Sequence, residues 1–186
     1  PNFAQKINLT HFIPPNLSYL PDTLRADQDT LRCYTCLNTF IDHNNYAHIA
    51  FTTRSYFAIE GTSYWNASII WHWSEQFPTQ FKMVANYFDP QNINAMAYCG
   101  AWNVRAQRPS MGEDAAGHLY CMYQVYDTDT SRLSANTSFP NGNGFGGPSG
   151  EVYISTSLDG GLSWSQGTNV TNTLSPYHAL AGQCRS

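Results

Sequence analysis

The sequence contains little charge and almost no lysine. Only 12% of its 186 residues are charged, the net charge is −4, and Lys6 and Lys82 are the two lysines. A surface that binds nucleic acid needs a stripe of basic side chains against the phosphates. The composition provides no such stripe, so we expect no nucleic acid among the partners.

Long apolar runs are also missing from the chain. No stretch reaches the roughly eighteen consecutive apolar residues that a membrane-spanning helix requires, and we therefore expect no membrane insertion. The chain begins at Pro1 rather than Met, which leads us to expect a removed leader or a start inside a longer product.

Aromatic residues are abundant, at 15% of the chain. Together with many Gly, Pro, Ser, Thr and Asn residues, they are typical of an all-β secreted protein. Period-two alternation of apolar and polar residues predicts individual strands. These strands are 35–41, 46–55, 67–75, 81–88, 95–104 and 118–126, followed by a hairpin within 150–173.

The hairpin has the clearest local pattern in the sequence. Val152 and Ile154 alternate with polar neighbours as in a strand, a turn follows at 158–161, and Trp164 is predicted to open the second strand. An aspartate in the turn can accept backbone N–H groups, and the glycines permit positive φ. These features build a fold, and no catalytic step follows from them.

The turn resembles the Asp box, S-x-D-x-G-x-[ST]-W, of sialidases and other secreted β-propellers with BNR-type repeats. All of its defined positions are filled, by Ser157, Asp159, Gly161, Ser163 and Trp164. The resemblance implies a β-propeller in which the box lies between the third and fourth strands of a blade, away from any active site. It implies architecture rather than activity.

An internal repeat of about 70 residues is predicted, because 42–51 matches 114–123 and 67–74 takes the place of 151–157. The expected organisation is two four-stranded antiparallel blades and the start of a third. The divisions are an irregular arm at 1–30, a first blade-like repeat with a connecting strand at 31–104, a second repeat with the Asp box at 105–175, and the start of a next repeat or an assembly strand at 176–186. Since propellers generally need four or more blades, the remaining blades would come from a longer chain or from other copies, as an oligomer or filament.

Five cysteines are present: Cys33, Cys36, Cys99, Cys121 and Cys184. A zinc site would need a second C-x-x-C or a histidine pair, so no metal is expected. Two disulfides and one remaining thiol would suit an oxidising compartment. Residues three apart in an extended strand are about 10 Å apart, so Cys33 and Cys36 can bond only if the chain turns between them.

Five N-x-S/T sequons indicate a glycoprotein that is secreted or lies at the cell surface. They begin at Asn8, Asn16, Asn66, Asn136 and Asn169. The alternative is that they arise by chance in a chain rich in Asn, Ser and Thr, and occupancy depends on the host.

A sialidase-like enzyme would need, by that family's pattern, three arginines for the sugar carboxylate, a tyrosine nucleophile with a glutamate partner, and an aspartate as acid and base. The sequence offers Arg54, Arg105, Arg108 and Arg132, with Glu60, Glu75 or Glu113 as the partner. None of these positions matches a family signature. We therefore assign no catalytic residue and no cofactor, and keep a sialidase-like glycoside hydrolase fragment as the alternative.

Trp71 and Trp73 lie two apart on a predicted strand and hence on one face. If that face is exposed, they could stack on successive sugar rings in a lectin-like module, whereas a buried face would make them packing residues. The function we expect is a non-catalytic extracellular structural or adhesive module. Its expected partners are other copies of itself or further blades, with glycans as a further class.

Overall fold

The computed structural model describes residues 6–10, 31–55, 58–59, 62–63, 68–87, 99, 103–127, 148 and 150–173. All regular secondary structure in these ranges is β-strand, so the fold is all-β, as the composition predicts. Within them, no helix is long and apolar enough to cross a membrane.

The described residues form two four-stranded antiparallel sheets and one two-stranded ribbon. The first contains β1 Leu31–Ile41, β2 Ala47–Ser55, β5 Ser68–Ser74 and β6 Phe81–Asn86, in that order. Its third strand is preceded by a small ribbon of β3 Ala58–Ile59 and β4 Thr62–Ser63. The second contains β7 Ala106–Glu113, β8 Leu119–Tyr126, β9 Gly150–Ser157 and β10 Thr168–Asn169. Each sheet is a meander in which chain order equals spatial order.

The structure differs from the predicted strands at three places. Trp164 does not open a strand, because β10 pairs with β9 only at Thr168 and Asn169. Residues 106–113, for which no strand was predicted, form a complete strand, β7. Most of the predicted strand 95–104 lies outside the described residues, and its described positions 99, 103 and 104 are not in a strand.

The first turn of each sheet has the same hydrogen-bond pattern. Asn45 N–H donates to the Asp42 carbonyl at 3.0 Å, and Gly117 N–H donates to the Asp114 carbonyl at 3.0 Å. The donors at the two turns both have positive φ, 65° at Asn45 and 85° at Gly117. Asparagine and glycine tolerate this conformation best, which explains their presence at matching positions.

The two aspartates also use their second carboxylate oxygens alike. Asp42 Oδ2 lies 3.3 Å from His48 Nε2, and Asp114 Oδ2 accepts the Tyr120 hydroxyl at 3.0 Å. In both sheets the partner is six residues beyond the aspartate. The structure of the two turns is therefore equivalent, with a separation of 72 residues between Asp42 and Asp114.

The sheets pack face to face, and β7 lies against β1, β2 and β5. Small and aliphatic side chains from both sheets, together with one tyrosine, form the core between them. The buried members are Ala50, Ile70, Val84 and Ala85 from the first sheet and Ala106, Cys121, Tyr123 and Val125 from the second. Removal of these apolar surfaces from water is the main force holding the sheets together.

Candidate functional site

The Asp159 carboxylate organises the hairpin between β9 and β10, the third and fourth strands of the second sheet. Its Oδ1 accepts the Ser157 hydroxyl at 2.7 Å and the Ser163 N–H at 2.9 Å, and its Oδ2 accepts the Ser163 hydroxyl at 2.5 Å. Desolvation opposes ionisation, but the bonds from Ser163 and Ser157 outweigh it and lower the pKa of Asp159. The hydrogen bonds of this carboxylate hold the turn in its conformation.

Two consecutive glycines bend the chain after Asp159. Gly160 has φ 69° and Gly161 has φ 94°, a region that favours glycine strongly. The Gly161 N–H donates to the Ser157 hydroxyl oxygen at 2.8 Å. Gly161 also has no room for a side chain, because a Cβ there would overlap the imidazole of His72 on the first sheet.

His72 connects this hairpin to the first sheet. Its Nδ1 lies 3.2 Å from the Gly161 carbonyl oxygen, and because that oxygen can only accept, Nδ1 carries the hydrogen. Its Nε2 lies 2.9 Å from His48 Nδ1, and His48 Nε2 lies 3.3 Å from the Asp42 carboxylate. A continuous chain of polar contacts thus joins a turn of one sheet to the hairpin of the other.

His48 and His72 are both buried, each with about 1% of its surface exposed. Burial and, to a smaller extent, the nearby His48 lower the pKa of His72 to about 4, and the bond to Gly161 only partly opposes them. Neutral His72 is therefore the form that fits the interface between the sheets.

Other polar contacts cross the same interface. The Ser68 hydroxyl donates to the Ala106 carbonyl at 2.9 Å and accepts the Ala106 N–H at 2.8 Å. Asn38 Oδ1 accepts the Met111 N–H at 2.9 Å. Trp164 packs edge-on against His72, with ring centroids 5.2 Å apart. The Asp-box residues singled out from the sequence therefore lie together beside this interface.

The two tryptophans proposed to stack on sugars are buried. Trp71 is 5% exposed and Trp73 is 7% exposed. Their indole N–H groups donate to Thr53 Oγ1 at 2.9 Å and to the Pro78 carbonyl at 3.0 Å. The glycan-stacking hypothesis is corrected here, because neither ring presents a face to solvent and both are held as packing residues.

Three tyrosines near Arg105 form a cluster that the sequence patterns did not reveal. The rings of Tyr87, Tyr123 and Tyr153 lie with centroids 6.2–6.3 Å apart, and the Arg105 guanidinium lies 5.4 Å from the Tyr87 ring. Burial raises the pKa of Tyr123, although its bond to Ser155 opposes this. Tyr87 lies 36 residues from Tyr123 along the chain, so no local spacing could have identified the cluster.

The residues considered for sialidase chemistry have separate structural partners. Arg54 donates to the Tyr34 hydroxyl at 3.0 Å, Glu75 accepts the Ala47 N–H at 3.2 Å, and Glu113 accepts the His43 N–H at 2.9 Å. Arg108 is exposed, in a bulge of β7 where its φ is 57°. The candidates Glu60 and Arg132 lie outside the described residues.

The four described cysteines, Cys33, Cys36, Cys99 and Cys121, form no disulfide, and Cys184 lies outside the described residues. The expected two bridges are therefore absent from this part of the chain. Cys33 and Cys36 lie along the same strand, β1, and Cys121 is buried between the sheets. Burial raises the pKa of the Cys121 thiol to about 12, which makes it unreactive. Across the described ranges there is also no group of three or more metal-ligating side chains.

Two of the five sequons lie in the described residues. Asn8 is exposed, and its Oδ1 accepts the Thr10 hydroxyl at 3.3 Å. Asn169 Oδ1 instead accepts N–H groups of Thr171 and Asn172 at 3.1 Å each, and so fixes the turn after β10. The remaining three, Asn16, Asn66 and Asn136, lie outside the described residues.

Comparison with known proteins finds a likeness to a solved structure but no family. No family model matches the chain, and no curated protein matches it. A solved structure described as a protein of unknown function from Dyadobacter fermentans DSM 18053 aligns with 83% of this chain at 13% identity and a TM-score of 0.36. The chain spans 41% of the length of that protein.

Proposed function

We propose that the chain is a non-catalytic, extracellular structural or adhesive module of the β-propeller type, in which each four-stranded sheet serves as one blade. The observation that carries this proposal is the repetition of one unit. Two meanders with equivalent first turns, at Asp42 and Asp114, pack face to face through a continuous core. Radial repetition of such units is how propellers bury the faces of small sheets.

The placement of the Asp box supports the same proposal. In secreted propellers the box joins the third and fourth strands of a blade, and Asp159 lies between the third and fourth strands of the second sheet. Its side chain holds the turn, and the turn contacts His72 of the neighbouring sheet. The box thus serves packing between repeats, which suits a structural role.

The extracellular and glycosylated parts of the proposal rest on the sequons. Asn8 is exposed on the described surface and is the attachment site best placed to carry a sugar. Expression in a glycosylating host, followed by intact-mass measurement with and without glycosidase, tests this. A mass equal to the unmodified chain in both samples would remove the glycoprotein assignment.

The non-catalytic structural role is tested by two assays on one preparation. We expect protein-coated surfaces to retain cells or matrix, while a fluorogenic sialoside stays intact in solution. Arg105→Ala is the informative variant, because Arg105 lies beside the tyrosine cluster. Sialoside turnover that this substitution abolishes would replace the structural role with a sialidase-like one.

A further inference from the structure

The equivalent first turns of the two sheets contact each other. Glu113, the last residue of β7, accepts the His43 backbone N–H at 2.9 Å through Oε2, and its Oε1 lies 2.5 Å from His43 Nδ1. The His43 ring also lies against Gly117, since a Cβ added there would be 2.9 Å from the ring atom Cε1. Both the side chain and the backbone of His43 thus contact the second turn. This contact is called here the His43–Glu113 joint.

The joint is an addition to the repeated turn. With the two turns aligned, His43 corresponds to Ala115 and Glu113 corresponds to Ile41. Alanine and isoleucine cannot form an ion pair, so positions 41 and 115 do not offer the same contact to a further unit. The backbone hydrogen bonds that both turns share close each turn without the joint. His43 and Glu113 therefore serve the contact between these two sheets rather than the shape of either turn.

The joint is strongest when His43 carries a proton. The Glu113 side chain is only 10% exposed, so its carboxylate needs hydrogen-bond donors from within the fold. Protonated His43 donates Nδ1–H to it with a full positive charge, and such a charge-assisted bond is stronger than a neutral one. The hydrogen bond to Glu113 raises the pKa of His43, desolvation partly opposes it, and the negative charges of Glu113 and Asp42 add to the rise.

The other titratable groups around the joint have contacts within their own sheets. They are Asp42, His48 and Glu75 in the first sheet and Asp114, His118 and Tyr120 in the second. Asp114 directly follows Glu113, but its Oδ2 accepts from the Tyr120 hydroxyl at 3.0 Å and lies 2.9 Å from His118. Glu113 instead reaches across to the other sheet. It is therefore the direct partner of the His43 ring.

We propose that the His43–Glu113 joint is a pH-sensitive contact between the two sheets, closed while His43 is protonated and loosened once it is neutral. Loss of the proton removes the positive charge beside a mostly buried carboxylate, and the Nε2–H tautomer turns a lone pair towards it. The contribution of the pair is fully present below pH 6.5 and is lost as the pH rises through the raised pKa of His43. Because the imidazole is 60% exposed, the pair adds little to the stability of the whole fold, and the switch acts locally on the two turns.

This switch runs opposite to the titration of His72. His72 fits the interface in its neutral form, and that contact weakens as the pH falls towards 4. The joint weakens instead as the pH rises above neutrality. Both contacts between the sheets are therefore made together only between about pH 4 and the raised pKa of His43. The inference does not depend on an extracellular or adhesive role.

Nuclear magnetic resonance titration of the full chain across neutral pH tests the proposal with two measurements. The first is the pKa of the His43 ring, which we expect above its ordinary value of 6.5. The second is the protection of the His43 N–H against solvent exchange, corrected for the intrinsic rate at each pH. Since this N–H is bonded to Glu113, its protection reports the opening of the joint. We expect it to fall about threefold as the ring loses its proton.

Two variants assign the effect to the pair. Glu113→Gln keeps an acceptor for the N–H but removes the charge, so the pKa of His43 should return to about 6.5 and the protection should no longer depend on pH. His43→Gln, at the exposed side of the pair, should make the protection at position 43 independent of pH even if Glu113→Gln does not fold. Glu75→Gln is the matched control, because Glu75 accepts the Ala47 N–H within the first sheet, and it should behave like the wild type.

Three results would overturn the proposal. The first is a wild-type His43 ring with a pKa at or below 6.5. The second is protection of the His43 N–H that stays constant while the ring titrates. The third is a pH-dependent loss of protection that persists in folded Glu113→Gln or His43→Gln protein, since another group would then control the contact.

Discussion

The imidazole of His72 occupies the space in which Gly161 would carry a side chain, and its Nδ1 donates to the Gly161 carbonyl oxygen at 3.2 Å. The two residues are 89 positions apart and belong to different sheets. Asp159 therefore closes the turn of the hairpin after β9. Gly161 in the same turn packs against His72 of the neighbouring sheet. Glycine at position 161 is required by both its φ of 94° and the lack of space.

Gly161→Ala should be strongly destabilising. A Cβ would overlap His72, and the positive φ adds strain, so we expect a loss of about 3 kcal/mol in the free energy of unfolding. Urea denaturation measures the change. Gly112→Ala is the matched control, because no heavy atom lies within 4 Å of its Cβ position. Equal stability of the two alanine variants would contradict the packing of Gly161 against His72.

Stability should rise with pH between about 4 and 6.5. The pKa of His72 is lowered from 6.5 to about 4 in the folded chain, so within this window the unfolded chain binds a proton that the folded chain excludes. The free energy of unfolding is highest above pH 6.5, where His72 is neutral in both states. It falls as the pH drops towards 4, by a total on the order of 3 kcal/mol. Urea midpoints measured at several pH values provide the test.

His72→Gln should flatten this pH dependence, because it removes the imidazole whose pKa is lowered. His48 and Asp42 are the other titratable groups of the polar chain and remain in the variant. An unchanged slope in His72→Gln would show that another group is responsible.

Asp159→Ala should destabilise the hairpin more than Ser163→Ala does. The substitution removes three hydrogen bonds, from Ser157 and from the N–H and hydroxyl of Ser163, and we expect a loss of about 2 kcal/mol. Ser163→Ala removes only the hydroxyl contact and should cost about half as much. Differential scanning calorimetry compares the two variants. A Ser163→Ala variant less stable than Asp159→Ala would reverse the assigned roles.

The sequence predicted the strands best where alternation was regular and turns had characteristic residues. β2, β5, β8 and β9 appear within one residue of their expected ends wherever ends were given, and a turn lies at 158–161 as expected. β7 was missed because Pro109 and the bulge between Gln107 and Ser110 interrupt its alternation. A bulge shifts side chains to the other face, which disrupts the pattern that reveals a strand.

The inter-sheet interface could be predicted only in part. Asp159 and its neighbours form a local motif, which a sequence reveals directly. His48 and His72 were not singled out from the sequence, because their contacts join residues 24 and 89 positions apart. The tryptophans were placed on the correct strand, but their exposure depends on what packs against β5. Strand pattern alone does not contain that information.

The central claim is that the hairpin after β9 of the second sheet packs on the third strand of the first. Nuclear Overhauser spectroscopy of selectively labelled protein measures this contact directly. We predict strong cross-peaks from the His72 ring Hε1 to the Gly161 Hα protons and to the Trp164 indole, which lie against that ring. Absence of both cross-peaks in a protein whose strand pairing is intact would contradict the account.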